Sequence, residues 1–167
     1  MLTRFLAISL MLALSACAGM NREEAEFSPW HLPDDTPHEV VQMLRGHYGE
    51  KSFAMQVRLS LTENKMQVAG LDALGRRAFD ILWDENGVQS MRADWVPEGL
   101  NALDILKVIV AVYWPKDDPM QARVADRTAD LAIDYQSDRA HAWNETTEIR
   151  DPKSNYEMTI ISYELKQ

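Results

Sequence analysis

The chain has 167 residues, with 26 acidic side chains against 17 Lys and Arg, a formal charge of -9 and a single cysteine. That length suits one domain whose core needs no disulfide, and a disulfide within one chain is excluded. The acidic balance argues against a nucleic-acid partner, whose phosphates demand a basic face, and against electrostatic adhesion to anionic lipid head groups.

The chain opens with one positive charge, Arg4, followed by an almost wholly apolar run from Phe5 to Leu14. A helix that spans a bilayer needs about 20 apolar residues, so this run is too short. A basic start, an apolar run and then small residues have the layout of a secretory signal. The signal ends Leu14-Ser15-Ala16-Cys17, which resembles the bacterial lipobox. The resemblance implies cleavage before Cys17, a diacylglycerol thioether on its sulfur and an acylated amino terminus. Two or more acyl chains make a stable membrane anchor where one does not. The alternative, a free core cysteine, requires no such layout upstream. Ala18 stands where enterobacterial lipoproteins retained at the inner membrane carry aspartate. By that analogy the protein is held at the periplasmic face of the outer membrane. Residues 1–16 are thus expected to be a signal peptide, 17–35 a lipidated anchor and tether, and 36–167 the folded domain. Removing the signal takes away Arg4 and leaves 151 residues with a charge of -10. In the tether, Phe27, Trp30 and Leu32 are costly to leave in water and are expected to pack.

Thr36-Pro37 has the form of a helix start, with Val40, Met43 and Leu44 on one face and Gly46 as a stop. A short helix is therefore expected over 36–46. In Ser52–Leu61, Phe53, Met55, Val57, Leu59 and Leu61 alternate with polar or small residues, which is the strand period. A turn at Thr62–Asn64 leads to a second strand, KMQVAGL, containing Met66 and Val68. A third, RRAFDILWD, places Phe79, Ile81 and Trp83 on one face. Asn86-Gly87 supplies a hairpin turn, and Val88–Ala93 completes the hairpin. After a break at Pro97–Gly99, NALDILKVIVAVYW reads as a helix capped by Asn101, with Asp104 in its first turn and Pro115 after its end. The β-branched run Val108–Val112 leaves a strand as the alternative. Further strands are expected over Arg123–Tyr135, His141–Ile149 and Tyr156–Leu165, with a turn at Asp151–Asn155. The sum is an α+β fold: a curved antiparallel sheet forming an open half-barrel around an inserted helix, with one helix before it.

Catalytic motifs are lacking. His31, His38, His47 and His141 show no metal spacing, and there is neither a nucleophile elbow nor a phosphate loop. Asp84-Glu85-Asn86-Gly87 has only the opening of a calcium loop and reads as a turn. Asp126, Asp130 and Asp134 would share a helical face, but their neighbours read as strand. No metal, cofactor or enzymatic activity is expected. An enzyme would need His47 or His141 within reach of an inward carboxylate.

The segment Lys65 to Pro115, with its strand ending in Gly70-Leu71, its Leu74-Gly75 turn and its helix ending in Trp114-Pro115, carries a family resemblance. It resembles uncharacterised proteobacterial lipoproteins often encoded among aryl polyene pigment genes. More distantly, it is similar to the outer-membrane lipoprotein receptor of the lipoprotein sorting pathway, which has proline where this chain has Ala73. The resemblance implies an open half-barrel lidded by helices over an apolar cavity, and a protruding loop whose apolar residue handles acyl chains. Leu71 and Leu74 are the loop candidates. Phe53, Met55, Val57, Leu59, Met66, Val68, Phe79, Ile81 and Trp83 would wall the cavity, or else fill it as an ordinary core. The partners expected are the membrane, through Cys17, and an acyl-chain amphiphile or a lipoprotein, handled by a monomer. The alternative is a non-catalytic scaffold or assembly lipoprotein that works through a protein partner.

Overall fold

The computed structural model describes residue 27 and residues 29–96, 101–136 and 143–166. Cys17, the signal run, most of the tether, the Pro97–Gly99 break and His141 lie outside the described residues. Among the described residues, eight strands and two helices follow in chain order. They are β1 (His38–Tyr48), β2 (Lys51–Thr62), β3 (Lys65–Asp72), β4 (Arg77–Asp84), β5 (Gly87–Arg92), α1 (Ala102–Tyr113), α2 (Pro119–Thr128), β6 (Ala132–Tyr135), β7 (Thr146–Asp151) and β8 (Tyr156–Glu164). The strands form one antiparallel sheet in the order β5-β4-β3-β2-β1-β8-β7-β6. Its edges, β5 and β6, do not pair, so the sheet is open. The helices lie between them in sequence and contribute to the same core.

The helix expected over 36–46 is instead β1, the strand that joins the two halves of the sheet. Its even-numbered residues His38, Val40 and Gln42 are buried. Apolar residues on both faces of a central strand, Val40 and Leu44 on one and Val41 and Met43 on the other, mimic a helical stripe. Thr36 does not cap a helix; its backbone N–H donates to Asp34 Oδ1 at 3.2 Å in a local turn. Nor does Gly46 stop one. A Cβ there would stand 2.2 Å from the Glu157 carbonyl oxygen and 2.8 Å from the Phe53 ring.

The expectations for β2, β3, β4, the Asn86-Gly87 hairpin and the last strand hold. Gly87 has φ 102, a conformation that costs glycine nothing. Residues 108–112 are helical, which removes the strand alternative. The Asn101 side chain accepts the Asp104 N–H at 2.9 Å, and at the other end Gln121 Nε2 donates to the carbonyls of Val110 and Trp114. These bonds satisfy groups that a helix end otherwise leaves open. Of the strand expected over Arg123–Tyr135, Arg123–Thr128 belong to α2 and only Ala132–Tyr135 is strand. Asp118 caps α2 by accepting the Met120 N–H at 2.7 Å, and Pro119 follows in the first turn, where its missing N–H is harmless. The strand expected from His141 begins at Thr146. Two helices are thus inserted between β5 and β6 where one was expected.

Candidate functional site

The alternation in β2 sends Phe53, Met55, Val57 and Leu59 to one face of the sheet. Strand register extends that face across three strands. Leu59 pairs with Val68 and Val68 with Ile81; Leu61 pairs with Met66 and Met66 with Trp83; Val57 pairs with Gly70 and Gly70 with Phe79. All nine candidate wall residues therefore share one face. Val57, Leu59, Met66, Val68, Phe79, Ile81 and Trp83 are buried, while Phe53 and Met55 are half-buried.

The two ends of this face differ. Near the β2–β3 turn it is filled by aromatic rings. Phe27 and Trp30 meet Trp83 edge-on with centroids at 5.1 and 5.0 Å, and Trp114 stacks on Trp83 at 6.0 Å. Trp30 Nε1 donates to the Thr62 carbonyl at 2.9 Å, which ties the chain before β1 to that turn. The indole N–H groups of Trp83 and Trp114 are buried without a hydrogen-bond acceptor among the described residues, beside ring faces that act as weak acceptors. Toward the β1–β2 turn, by contrast, Leu44, Phe53, Met55 and Tyr156 are only half-buried. Phe53 lies over Gly46 and stacks on Tyr156 at 6.5 Å. Leu103, Ile105 and Val108 of α1 are also half-buried against the core.

Polar side chains interrupt the inner face where β1, β8 and β7 meet. Gln42 pairs in register with Ser162, and the Ser162 N–H donates to the Glu145 carbonyl at 2.9 Å. Gln42, Ser162, Glu145 and Thr147 are all buried. From α1, the Tyr113 hydroxyl accepts a bond from Gln42 Nε2 at 2.5 Å and lies 2.8 Å from Ser162 Oγ. Burial, with a further push from the Glu145 carboxylate, holds the Tyr113 phenol well above its ordinary value despite those bonds. Trp143 stacks on Tyr113 at 4.3 Å and approaches His38 at 4.6 Å. His38 is held between two carboxylates, with Nδ1 2.5 Å from Glu164 Oε1 and Nε2 2.9 Å from Asp34 Oδ1. His47 lies on the other face of β1 from His38, Val40 and Gln42. None of the sequence motifs singled out the Gln42–Tyr113–Ser162 cluster. Its one signal is an amide between Val40 and Leu44, which becomes conspicuous once β1 is recognised as a strand.

The loop candidates separate. Leu71 belongs to β3 and is half-buried, whereas Leu74 is 80% exposed at the tip of the β3–β4 turn. The Asp72 carboxylate fixes that turn by accepting the N–H groups of Leu74 at 2.9 Å and Arg76 at 2.8 Å and the Arg76 Nε at 2.7 Å. Desolvation pushes the Asp72 carboxyl up, but the hydrogen bonds from Arg76 and Leu74 outweigh it and hold it below its ordinary range. Gly75 has φ 77, and Arg76 lies 4.6 Å from the centre of the Trp95 ring.

The acidic residues Asp84, Asp126, Asp130 and Asp134 do not converge on one another. Asp84 Oδ1 accepts the Asn86 N–H at 2.7 Å in a plain hairpin turn, beside a groove of about 370 Å³ lined by Trp30, Glu63, Asn64, Lys65 and the turn itself. Asp130 pairs with Lys153, Asp134 pairs with Arg150, and Asp126 is exposed on α2. Among the described residues no three His, Cys, Asp or Glu side chains are placed to hold a metal ion. Nor is any helix among them long and apolar enough to cross a membrane.

A family model described as "Protein of unknown function (DUF3261)" matches residues 39–164. The chain belongs to this family. The match runs from the second residue of β1 to the last of β8, so the family unit is the whole sheet with both helices. No curated protein matches the chain.

Proposed function

We propose that this member of the family is a lipoprotein, anchored through Cys17 to the periplasmic face of the outer membrane, that binds or delivers an acyl-chain amphiphile or a lipoprotein. The observation that carries the reading is the uneven inner face. It is filled by Trp30, Trp83 and Trp114 at one end and presents half-buried Leu44, Phe53, Met55 and Tyr156 at the other. An apolar chain entering there would meet apolar side chains and release the water that covers them. On this reading the open sheet is a half-barrel, and the half-buried end is the mouth of its cavity. Leu74 supports it as well, since a stiff turn that holds a leucine in water suits transient contact with an acyl chain. The similarity to the lipoprotein receptor and to lipoproteins of aryl polyene gene clusters points the same way. The protein acts without a cofactor and without catalysis.

A second reading has one observation in its favour. The aromatic cluster closes a large part of the interior, as a non-catalytic scaffold acting through a protein partner would require. One experiment separates the two. A variant with Cys17→Ser, purified from its native host, is extracted with organic solvent for mass spectrometry and titrated with a fluorescent fatty acid. A stoichiometric co-purified amphiphile, or saturable binding of the probe, is expected. Neither, in repeated preparations, would sink the carrier and favour the scaffold.

A further inference from the structure

In the polar cluster inside the apolar face, not every hydrogen-bond donor is used. With its amide oriented to donate, Gln42 Nε2 bonds both the Tyr113 hydroxyl at 2.5 Å and Ser162 Oγ at 3.2 Å. The two hydroxyls lie 2.8 Å apart, so one donates to the other. The proton of the second hydroxyl then has no acceptor within the trio. Thr147 Oγ1 is fully buried and has no hydrogen-bond partner among the described residues. Thr147 pairs with Ile160, two residues from Ser162, which makes it a diagonal neighbour of Ser162 on the inner face, about 7 Å away. Leaving a buried hydroxyl unpaired forfeits its hydration with nothing in return. An apolar residue of the same shape at 147 would avoid that loss.

We infer that these unused donors are the polar end of the acyl site, and that they receive the oxygen of an uncharged carbonyl, as in an ester or amide of a fatty acid. This rests on the acyl-carrier reading above and narrows it from amphiphiles in general to neutral acyl derivatives. Three features converge on that class. The donors lie on the inner face, in register with the half-buried Leu44 and Met55: Leu44 pairs with Ile160, and Ile160 with Thr147. The Tyr113 phenol stays protonated, and so remains a donor, at any physiological pH. The Glu145 carboxylate, whose charge acts on Tyr113, repels a second carboxylate placed beside it and so disfavours a free fatty acid. A site built to hydrogen-bond one group rejects an analogue that cannot reciprocate, because its own buried groups are left unpaired.

The test uses the full chain with Cys17→Ser and the apolar fluorophore 1-N-phenylnaphthylamine, which has no carbonyl. Monopalmitoyl glycerol and palmitate of equal chain length compete for the probe. The ester is expected to displace it at about 5- to 10-fold lower concentration than palmitate, the worth of one neutral hydrogen bond. Thr147→Val and Ser162→Ala, each checked for native circular dichroism, should weaken ester binding by that factor and leave probe affinity unchanged. The infrared band of a ¹³C-labelled ester carbonyl should shift to lower frequency on binding and shift back in Thr147→Val. Tyr113→Phe supplies the same comparison if either variant fails to fold. Probe binding with no ester preference, or an ester band that the substitutions do not move, overturns the neutral-carbonyl site and leaves the carrier standing. Failure of the wild-type fold to bind the probe overturns both.

Discussion

The Phe79 ring lies directly over Gly70, its register partner across β3 and β4, with ring atoms 2.4 and 2.5 Å from where a Cβ on Gly70 would stand. Gly46 gives up its side chain for Phe53 in the same manner. Two strand glycines thus make room on the inner face for two aromatic rings, one in the filled part of the core and one at its half-buried end. The two should differ on substitution. The atoms nearest to the added Cβ in Gly70→Ala all belong to the Phe79 side chain, which can shift, and the expected cost is about 1–3 kcal/mol. Gly46→Ala meets the Glu157 carbonyl oxygen at 2.2 Å and the Met158 Cα at 2.9 Å, backbone that cannot move without disturbing the β1–β8 ladder. Urea denaturation should therefore rank Gly46→Ala as the more destabilising, and equal costs would show that β1 and β8 separate more readily than this packing implies.

Asp118 has two tasks, whereas Asn101, the cap of α1, has one. Asp118 caps α2, and its carboxylate also meets His31 Nε2 at 2.9 Å, which ties the chain before β1 to the helix pair. Asn101→Ala should cost about 1 kcal/mol, the usual worth of an N-cap. Asp118→Ala should cost more than that, and Asp118→Asn, which keeps a capping oxygen, should recover most of the cap but not the contact with His31. Chemical denaturation of the three variants checks the order. Equal losses for Asp118→Asn and Asp118→Ala would mean that the pairing with His31, and not the cap, carries the effect.

These particulars show which parts of the architecture were legible in the sequence. β2, β3 and β4 each have one buried face, so their period-two pattern survives. β1 lies between β2 and β8 and carries apolar side chains on both faces, which erases the pattern and leaves helical spacing in its place. In α2 the signal was present in Asp118-Pro119, but the alternating polar and apolar residues from Arg123 onward obscured it. The wall residues could be assigned to one face because alternation fixes the face. Whether that face is filled depends on Phe27, Trp30 and Trp114, which reach it from elements remote in sequence, and no local pattern records such contacts. The polar trio is of the same kind, since Gln42, Tyr113 and Ser162 come from three elements.

The Leu74 turn should weaken in acid. Asp72 has its carboxyl held below its ordinary value of 3.8 in the folded chain, so its hydrogen bonds to Leu74 and Arg76 are complete above that value and vanish as pH falls below it through the lower folded-state value. Hydrogen exchange of the Leu74 and Arg76 amides is expected to speed up, relative to the rest of β3 and β4, only below about pH 4. In Asp72→Ala the same amides should exchange faster at neutral pH as well, with little change in global stability because the turn is at the surface. Unchanged protection in that variant would mean that Gly75 and the flanking strands suffice to hold the turn.

At the opposite extreme of pH, Tyr156 reports on the half-buried end of the inner face. Burial pushes its phenol up from 10.0 to about 12. The folded chain thus favours the neutral form, and Tyr156 contributes stability that is whole below pH 10 and is lost as pH rises from there toward 12. Absorbance at the phenolate band should show Tyr156 ionising late, and Tyr156→Phe should flatten the alkaline limb of the stability curve between those values. Phe53 stacks on Tyr156, so Phe53→Ala should open that end to water and return the Tyr156 titration toward its ordinary range. A Tyr156 that titrates near 10 in the unaltered chain would mean that solvent already reaches the ring, and that the end of the sheet proposed as the mouth is wider than its half-buried side chains indicate.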